Sequence, residues 1–291
     1  MPRNPIIFCK KSEEFEEKVR SYVQALRKIA PKIGDHGLPE KEFWDSGLFH
    51  SAIEHIRGTQ SATLGEKKKF VELVLNKLKQ SLKVKKWEFV GSSERHDYEV
   101  LLSDGRNIAI ETKGCLDGNN TNIFQRPPQA DEFIIWSLCQ NPGADPNHNA
   151  WSGVHTRLGA EVIHKKQKVD GVIIWDMVCG TIGRPCPKLL KDAHRGTKLT
   201  QSQVVPPPCI YLFPKTIPDP RSNPSPVFWK IEEVKFLHAL WLEFKGLASD
   251  VIEVKIEARM KEADIQRKTS FYREGQEISS SKWTTIKRAT A

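Results

Sequence analysis

The chain has 291 residues, 38% of them hydrophobic, which is enough to bury a sizeable interior and excludes a disordered polypeptide. Its 45 Lys and Arg against 36 Asp and Glu leave a net charge of +9, which favours an acidic partner, a polyphosphate first among them. No apolar run approaches the roughly 18 residues of a membrane helix, and the six cysteines lack the spacing of a disulfide framework. Met1 is followed by neither a signal-like nor a transit-like segment, so a reduced, cytoplasmic protein without membrane contact is expected.

In chain order, residues 12–30 place Phe15, Val19, Tyr22, Val23 and Leu26 at helical spacing behind Ser12. A second amphipathic helix is expected over 64–83, with Thr63 and Glu66 at capping-box spacing and a stripe of Phe70, Val71, Val74, Leu78 and Leu82. Strand-like runs follow at 87–90, 97–102 and 107–113. The polar stretch 116–151 holds one expected helix, near 130–138, and a helical pattern returns at 155–167. The run "VDGVIIWDMV" is rich in Val and Ile, and a buried strand reached by a crossover is expected there. Ten prolines between 180 and 226 indicate an extended arm or linker. Beyond them "VKFLHALWLEF" is apolar, "VIEVKIEARM" reads as a strand, and the chain ends in a basic segment.

The runs 97–102 and 107–113 form a hairpin whose register decides its chemistry. A two-residue Asp104-Gly105 turn would set Tyr98 against Glu111 and mix charged with apolar side chains on both faces. A three-residue Ser103-Asp104-Gly105 loop, with Gly105 left-handed, instead pairs Val100 with Ile108 and Tyr98 with Ile110, making one face wholly apolar. That register brings Asp97 level with Glu111, with Lys113 one step along the same face, and this charged face is expected to point away from the core. Two carboxylates so close repel unless a cation lies between them, and Mg²⁺ is held by one or two carboxylates while keeping several waters. Asp97 and Glu111 are therefore candidate metal ligands, and Lys113 is a candidate for orienting the attacking group and offsetting charge on a phosphodiester.

An Asp at the start of one strand, a hairpin and then Glu-x-Lys at the end of the next, between a helix and a crossover helix and strand, resembles the PD-(D/E)xK nuclease superfamily. The resemblance covers about residues 64–178. It implies a restriction-endonuclease-like α/β (α+β) core, a mixed central sheet flanked by helices. It further implies catalytic Asp97, Glu111 and Lys113, and Mg²⁺ held by Asp97, Glu111 and the carbonyl of Thr112. His96 stands where the family often has Pro. Glu-x-Lys recurs at Glu16, Glu66, Glu233, Glu243 and Glu253, and only the preceding hairpin distinguishes Glu111. Family members often add a carboxylate from the first core helix, a place Glu66 or Glu72 would fill.

The expected organisation is an N-terminal helical extension (1–62), a catalytic core (63–179), and a Pro-rich arm with a basic C-terminal region (180–291). Asn119, Asn120 and Arg126 carry groups suited to base edges, and Arg195, Arg221, Arg267, Lys268, Phe271, Tyr272 and Trp283 could contact phosphates or stack on bases. Cys179, Cys186, His194 and Cys209 match no common zinc module. The resemblance implies a type II restriction endonuclease that cuts double-stranded DNA with metal-activated water, acting as a homodimer. A repair or junction-resolving nuclease is one alternative, and a non-catalytic DNA-binding protein is the other.

Overall fold

Burial in an α-helix repeats every three to four residues and in a strand every two, and these two periods explain most of the architecture. In the computed structural model the described residues are 17–18, 21–22, 38–42, 64–91, 96–113, 125–139, 153–176, 195–201 and 203–286. The capping pair at Thr63, most of the expected helix over 12–30, and residues 177–194 lie outside them. Residues 17, 18, 21 and 22 are helical, and Tyr22 is buried.

Helix α1, Leu64–Gln80, buries Phe70, Val71, Val74, Leu75 and Leu78 in one stripe. Leu82 does not extend the stripe, because the helix has already closed. Leu82 N–H donates to Lys79 O and Lys83 N–H to Leu78 O, the paired bonds of a Schellman cap. Leu82 takes the left-handed position of that cap, with φ 58°, and is 81% exposed.

Strands β1 (Val84–Phe89), β2 (Tyr98–Leu102) and β3 (Asn107–Lys113) follow as an antiparallel meander. The β2–β3 register is Val100↔Ile108 and Tyr98↔Ile110, as the three-residue loop requires. Gly105 has φ 92°, which an L-residue with a Cβ adopts only at a cost.

The segment expected to be helical near 130–138 is strand β4, Glu132–Cys139, running parallel to β3. Phe133, Ile134, Ile135 and Trp136 are consecutive and all fully buried. A strand with β3 on one flank and helices over both faces buries every residue, so the run carries no alternation to mark it as a strand. A π-helical turn (Val154–Leu158) leads into α2 (Gly159–His164), which returns the chain to β5 (Gly171–Asp176), parallel to β4. Gly171 permits a close approach, since a Cβ there would lie 2.4 Å from the Leu237 side chain.

A small separate ribbon pairs β6 (Thr197–Lys198) with β7 (Val204–Val205). Within the Pro-rich stretch, β8 (Cys209–Leu212) joins the main sheet antiparallel to β5, so this part of the expected arm is sheet. Helix α3 (Lys235–Glu243) follows, then β9 (Val251–Lys261), β10 (Asp264–Arg273), β11 (Gln276–Ser280) and β12 (Thr284–Thr285). The sheet has ten strands, in the order β1-β2-β3-β4-β5-β8-β9-β10-β11, with β12 also on β10. The fold is mixed α/β, with one large mixed central sheet and few helices.

Two apolar clusters sandwich the sheet. On one face α1 and α3 cover Tyr98, Ile108, Ile110, Trp136 and Trp175. Trp175 is wedged edge-on by Phe70 at 5.0 Å and Phe244 at 4.6 Å, and Trp136 stacks on it at 6.0 Å. On the other face the π-turn and α2 cover Ala109, Ile135, Ile174, Val254 and Phe271. No helix among the described residues is long and apolar enough to cross a membrane.

Candidate active site

The edge of the sheet where β2 begins and β3 ends brings Asp97, Glu111, Thr112 and Lys113 together. Asp97 brackets Glu111 along β3. Its N–H donates to Ile110 O at 3.0 Å, the carbonyl just before Glu111, and its Oδ2 accepts the N–H of Thr112, just after Glu111, at 2.7 Å. The side chain thus satisfies a strand-end N–H for which β2 offers no carbonyl. The hydroxyl of Thr112 donates to the same Oδ2 at 2.5 Å.

Glu111 and Lys113 are two residues apart on one strand and so point to the same face. Lys113 Nζ lies 2.6 Å from Glu111 Oε1. The Glu111 side chain is 7% exposed and that of Lys113 is 16% exposed, so the pair is largely withdrawn from water. The expectation that these charges face away from the core is corrected here. β4 lies against β3, with Ile135 beside Glu111 and Ser137 beside Lys113, and the second apolar cluster occupies that face. A carboxylate so buried needs a positive partner, and the ammonium supplies it.

Of the two helix carboxylates considered, Glu72 is described. It lies on α1, 4.0 Å from Lys68, and acts on the phenol of Tyr98. Burial raises the Tyr98 pKa first, and the charges of Glu72 and then Asp97 push it further up. Tyr98 therefore stands in the field of both carboxylates, and its hydroxyl is tied to Lys68 O at 3.4 Å. The side chain of Glu66 lies outside the described residues.

Next to Asp97, His96 is buried, and its Nε2 is 3.2 Å from Glu99 Oε1, which also accepts from Gln129 Nε2 at 3.2 Å. This chain of contacts is not legible in the sequence, because nothing in the pattern ties Gln129 to the hairpin. The part of the Thr112 hydroxyl has one sequence signal, a β-branched alcohol between Glu and Lys at a strand end.

The residues considered for DNA contact divide sharply. Asn119 and Asn120 lie outside the described residues. Arg126 spends its guanidinium internally: Nη1 donates to Asp170 Oδ2 at 2.6 Å, Nε and Nη2 to Ala130 O at 3.1 and 2.8 Å, and Nη2 also to Asp131 O. It fastens the approach to β4 onto the start of β5. Arg267 and Phe271, proposed above for phosphate and base contact, are buried beneath the π-turn, where desolvation lowers the Arg267 pKa. Arg195 is paired with Asp250. Arg221 is exposed, and Trp283 carries the Arg259 guanidinium over its ring at 4.2 Å. Cys209 lies in β8, where it pairs with Ile174 of β5.

Among the described residues no group of three or more His, Cys, Asp and Glu side chains is gathered to cage a metal. Mg²⁺ does not require one, since it binds through one or two carboxylates and retains waters. Asp97, just before β2, and Glu111, in β3, are hard oxygen donors, and the carbonyl of Thr112 lies between Glu111 and Lys113 in the chain. The donor set fits that ion. No protein-family model, curated protein or solved structure matches the chain.

Proposed function

We propose that this protein is a Mg²⁺-dependent endonuclease of the PD-(D/E)xK type that cleaves double-stranded DNA, most like a type II restriction enzyme. One observation carries the proposal: Asp97, just before β2, brackets Glu111 of β3 while Lys113 lies 2.6 Å from Glu111 at the end of the same strand. A surface ion pair has no need of a second carboxylate anchored beside it. The order of elements supports the reading, since α1, an antiparallel meander and two parallel strands joined through a crossover helix surround the cluster. The net charge of +9 suits a polyphosphate partner.

Asp97, Glu111 and the carbonyl of Thr112 would hold the cation. When bound, it would lower the pKa of a water and offset negative charge on the scissile phosphodiester. Lys113, held beside Glu111, would donate a hydrogen bond that orients the attacking water and stabilises charge developing on phosphate oxygen. Water attacks phosphorus, the P–O bond to the leaving sugar breaks, and a proton passes to that oxygen. Homodimerisation on a two-fold DNA site belongs to the proposal as the resemblance implies it.

The test is to incubate the protein with a long duplex of mixed sequence, with Mg²⁺ or with chelator, and to sequence the ends. Fragments sharing a short motif at their ends are expected with Mg²⁺ alone. Cutting confined to branched DNA would turn the reading to a junction nuclease, and binding without turnover would turn it to a DNA-binding protein.

A further inference from the structure

Thr112 is joined to both acidic residues of the site. It follows Glu111 covalently, and its N–H and hydroxyl both donate to Asp97 Oδ2, at 2.7 and 2.5 Å. Two donors from a single residue fix a carboxylate in both direction and plane, which one donor cannot do. The threonine is stiff at χ1 because it is β-branched, so the hydroxyl is held in place by its own strand. Among the described residues both donors fall on Oδ2 of Asp97 and none on Oδ1.

We infer that the Thr112 hydroxyl is a positioning group: it locks Oδ2 of Asp97 so that Oδ1 presents to a divalent cation at a fixed spacing from Glu111. The inference rests on the metal-site reading above and assigns the Thr112 side chain a part distinct from that of its carbonyl. Partners that orient a ligand from behind are worth about 10- to 100-fold in metal affinity. A purely structural clamp on the hairpin end would instead show itself in stability and leave metal affinity unchanged.

The experiment is a calorimetric titration of the full-length protein with Mn²⁺ in the absence of DNA, comparing wild type, Thr112→Val, Thr112→Ser and Glu111→Ala. Valine keeps the shape and the backbone N–H but lacks the hydroxyl, whereas serine keeps the hydroxyl. Binding by wild type is expected to be lost in Glu111→Ala, weakened about tenfold or more in Thr112→Val, and restored to within about threefold in Thr112→Ser. If Thr112→Val binds Mn²⁺ as wild type does while Glu111→Ala does not, the positioning part is overturned and the metal site stands. If Glu111→Ala binds as wild type does, or wild type binds no Mn²⁺, the metal-site reading has failed and the inference falls with it. Should Thr112→Val not fold, Thr112→Ala serves the same comparison, with the same two outcomes.

Discussion

Lys113 Nζ lies 2.6 Å from the carboxylate of Glu111, and both side chains are largely excluded from water. Breaking such a pair leaves a buried charge uncompensated, which costs about 3–5 kcal/mol. Lys113→Ala is therefore expected to lower unfolding stability by about 3 kcal/mol and to abolish cleavage. The double variant Glu111→Gln/Lys113→Met is expected to recover most of the stability and none of the activity. Urea unfolding of the three proteins, read beside a cleavage assay, separates the structural from the chemical role of the pair.

Leu82 sits in the left-handed position of the α1 cap with φ 58° and is 81% exposed. A side chain so exposed gives back little by burial, while the left-handed backbone costs a non-glycine residue about 1 kcal/mol. Leu82→Gly is expected to raise the stability by about that amount. Thermal unfolding checks it, and a lower midpoint would show that Leu82 makes a compensating contact.

Glu132 at the start of β4 is buried, accepts the N–H groups of Lys235 and Phe236 at the head of α3, and lies 3.6 Å from Arg106. Burial pushes its pKa up from 4.5 to about 7, against the pull of the two N–H donors. A carboxyl with a raised folded pKa holds a proton that the unfolded chain has released. Its contribution is therefore complete below the unfolded value and is lost as pH rises towards 7. Across that window this group alone is expected to reduce stability by about 3 kcal/mol. Glu132→Gln is expected to flatten this part of the pH profile, measured as the difference in urea midpoint between the two proteins. Parallel profiles for both would show that Glu132 ionises normally.

Arg126 ties the buried Asp170 to Ala130 and Asp131, while Asp170 also accepts Phe133 N–H at 2.8 Å and Trp229 Nε1 at 3.1 Å. Arg126→Ala is expected to destabilise the protein by about 3 kcal/mol, since Asp170 loses its closest cation. DNA affinity of the folded variant, followed by fluorescence anisotropy at low temperature, is expected to stay within about twofold of wild type, in contrast to the tenfold or greater discrimination that a bidentate base contact carries. A tenfold loss would return Arg126 to the DNA interface.

The hairpin was readable because its register is overdetermined: only one loop length makes Tyr98, Val100, Ile108 and Ile110 share a face, and Gly105 supplies the turn. β4 was not readable, because a strand covered on both faces shows the same unbroken apolar run as a buried helix segment. The place of β8 between β5 and β9 depends on pairings with residues distant in sequence, which local pattern does not encode. Within the site, the spacing of Asp97, Glu111 and Lys113 was legible from strand periodicity. The burial of Glu111 depends on β4 and the second helical layer, and the clamp from Thr112 depends on how the first residues before β2 meet the end of β3. Arg126, Arg267 and Phe271 looked like exposed DNA contacts because residue type alone does not reveal which acceptors or apolar neighbours the fold supplies.

Cleavage of supercoiled plasmid DNA in Mg²⁺, comparing wild type with folded Asp97→Asn and Glu111→Gln, is the deciding measurement for a metal-dependent endonuclease. Wild type is expected to convert the plasmid to linear fragments with discrete ends, and that conversion is expected to be lost in each variant and in chelator. Cleavage by Glu111→Gln at the wild-type rate, or an intact plasmid after prolonged incubation with folded wild type, would contradict that reading.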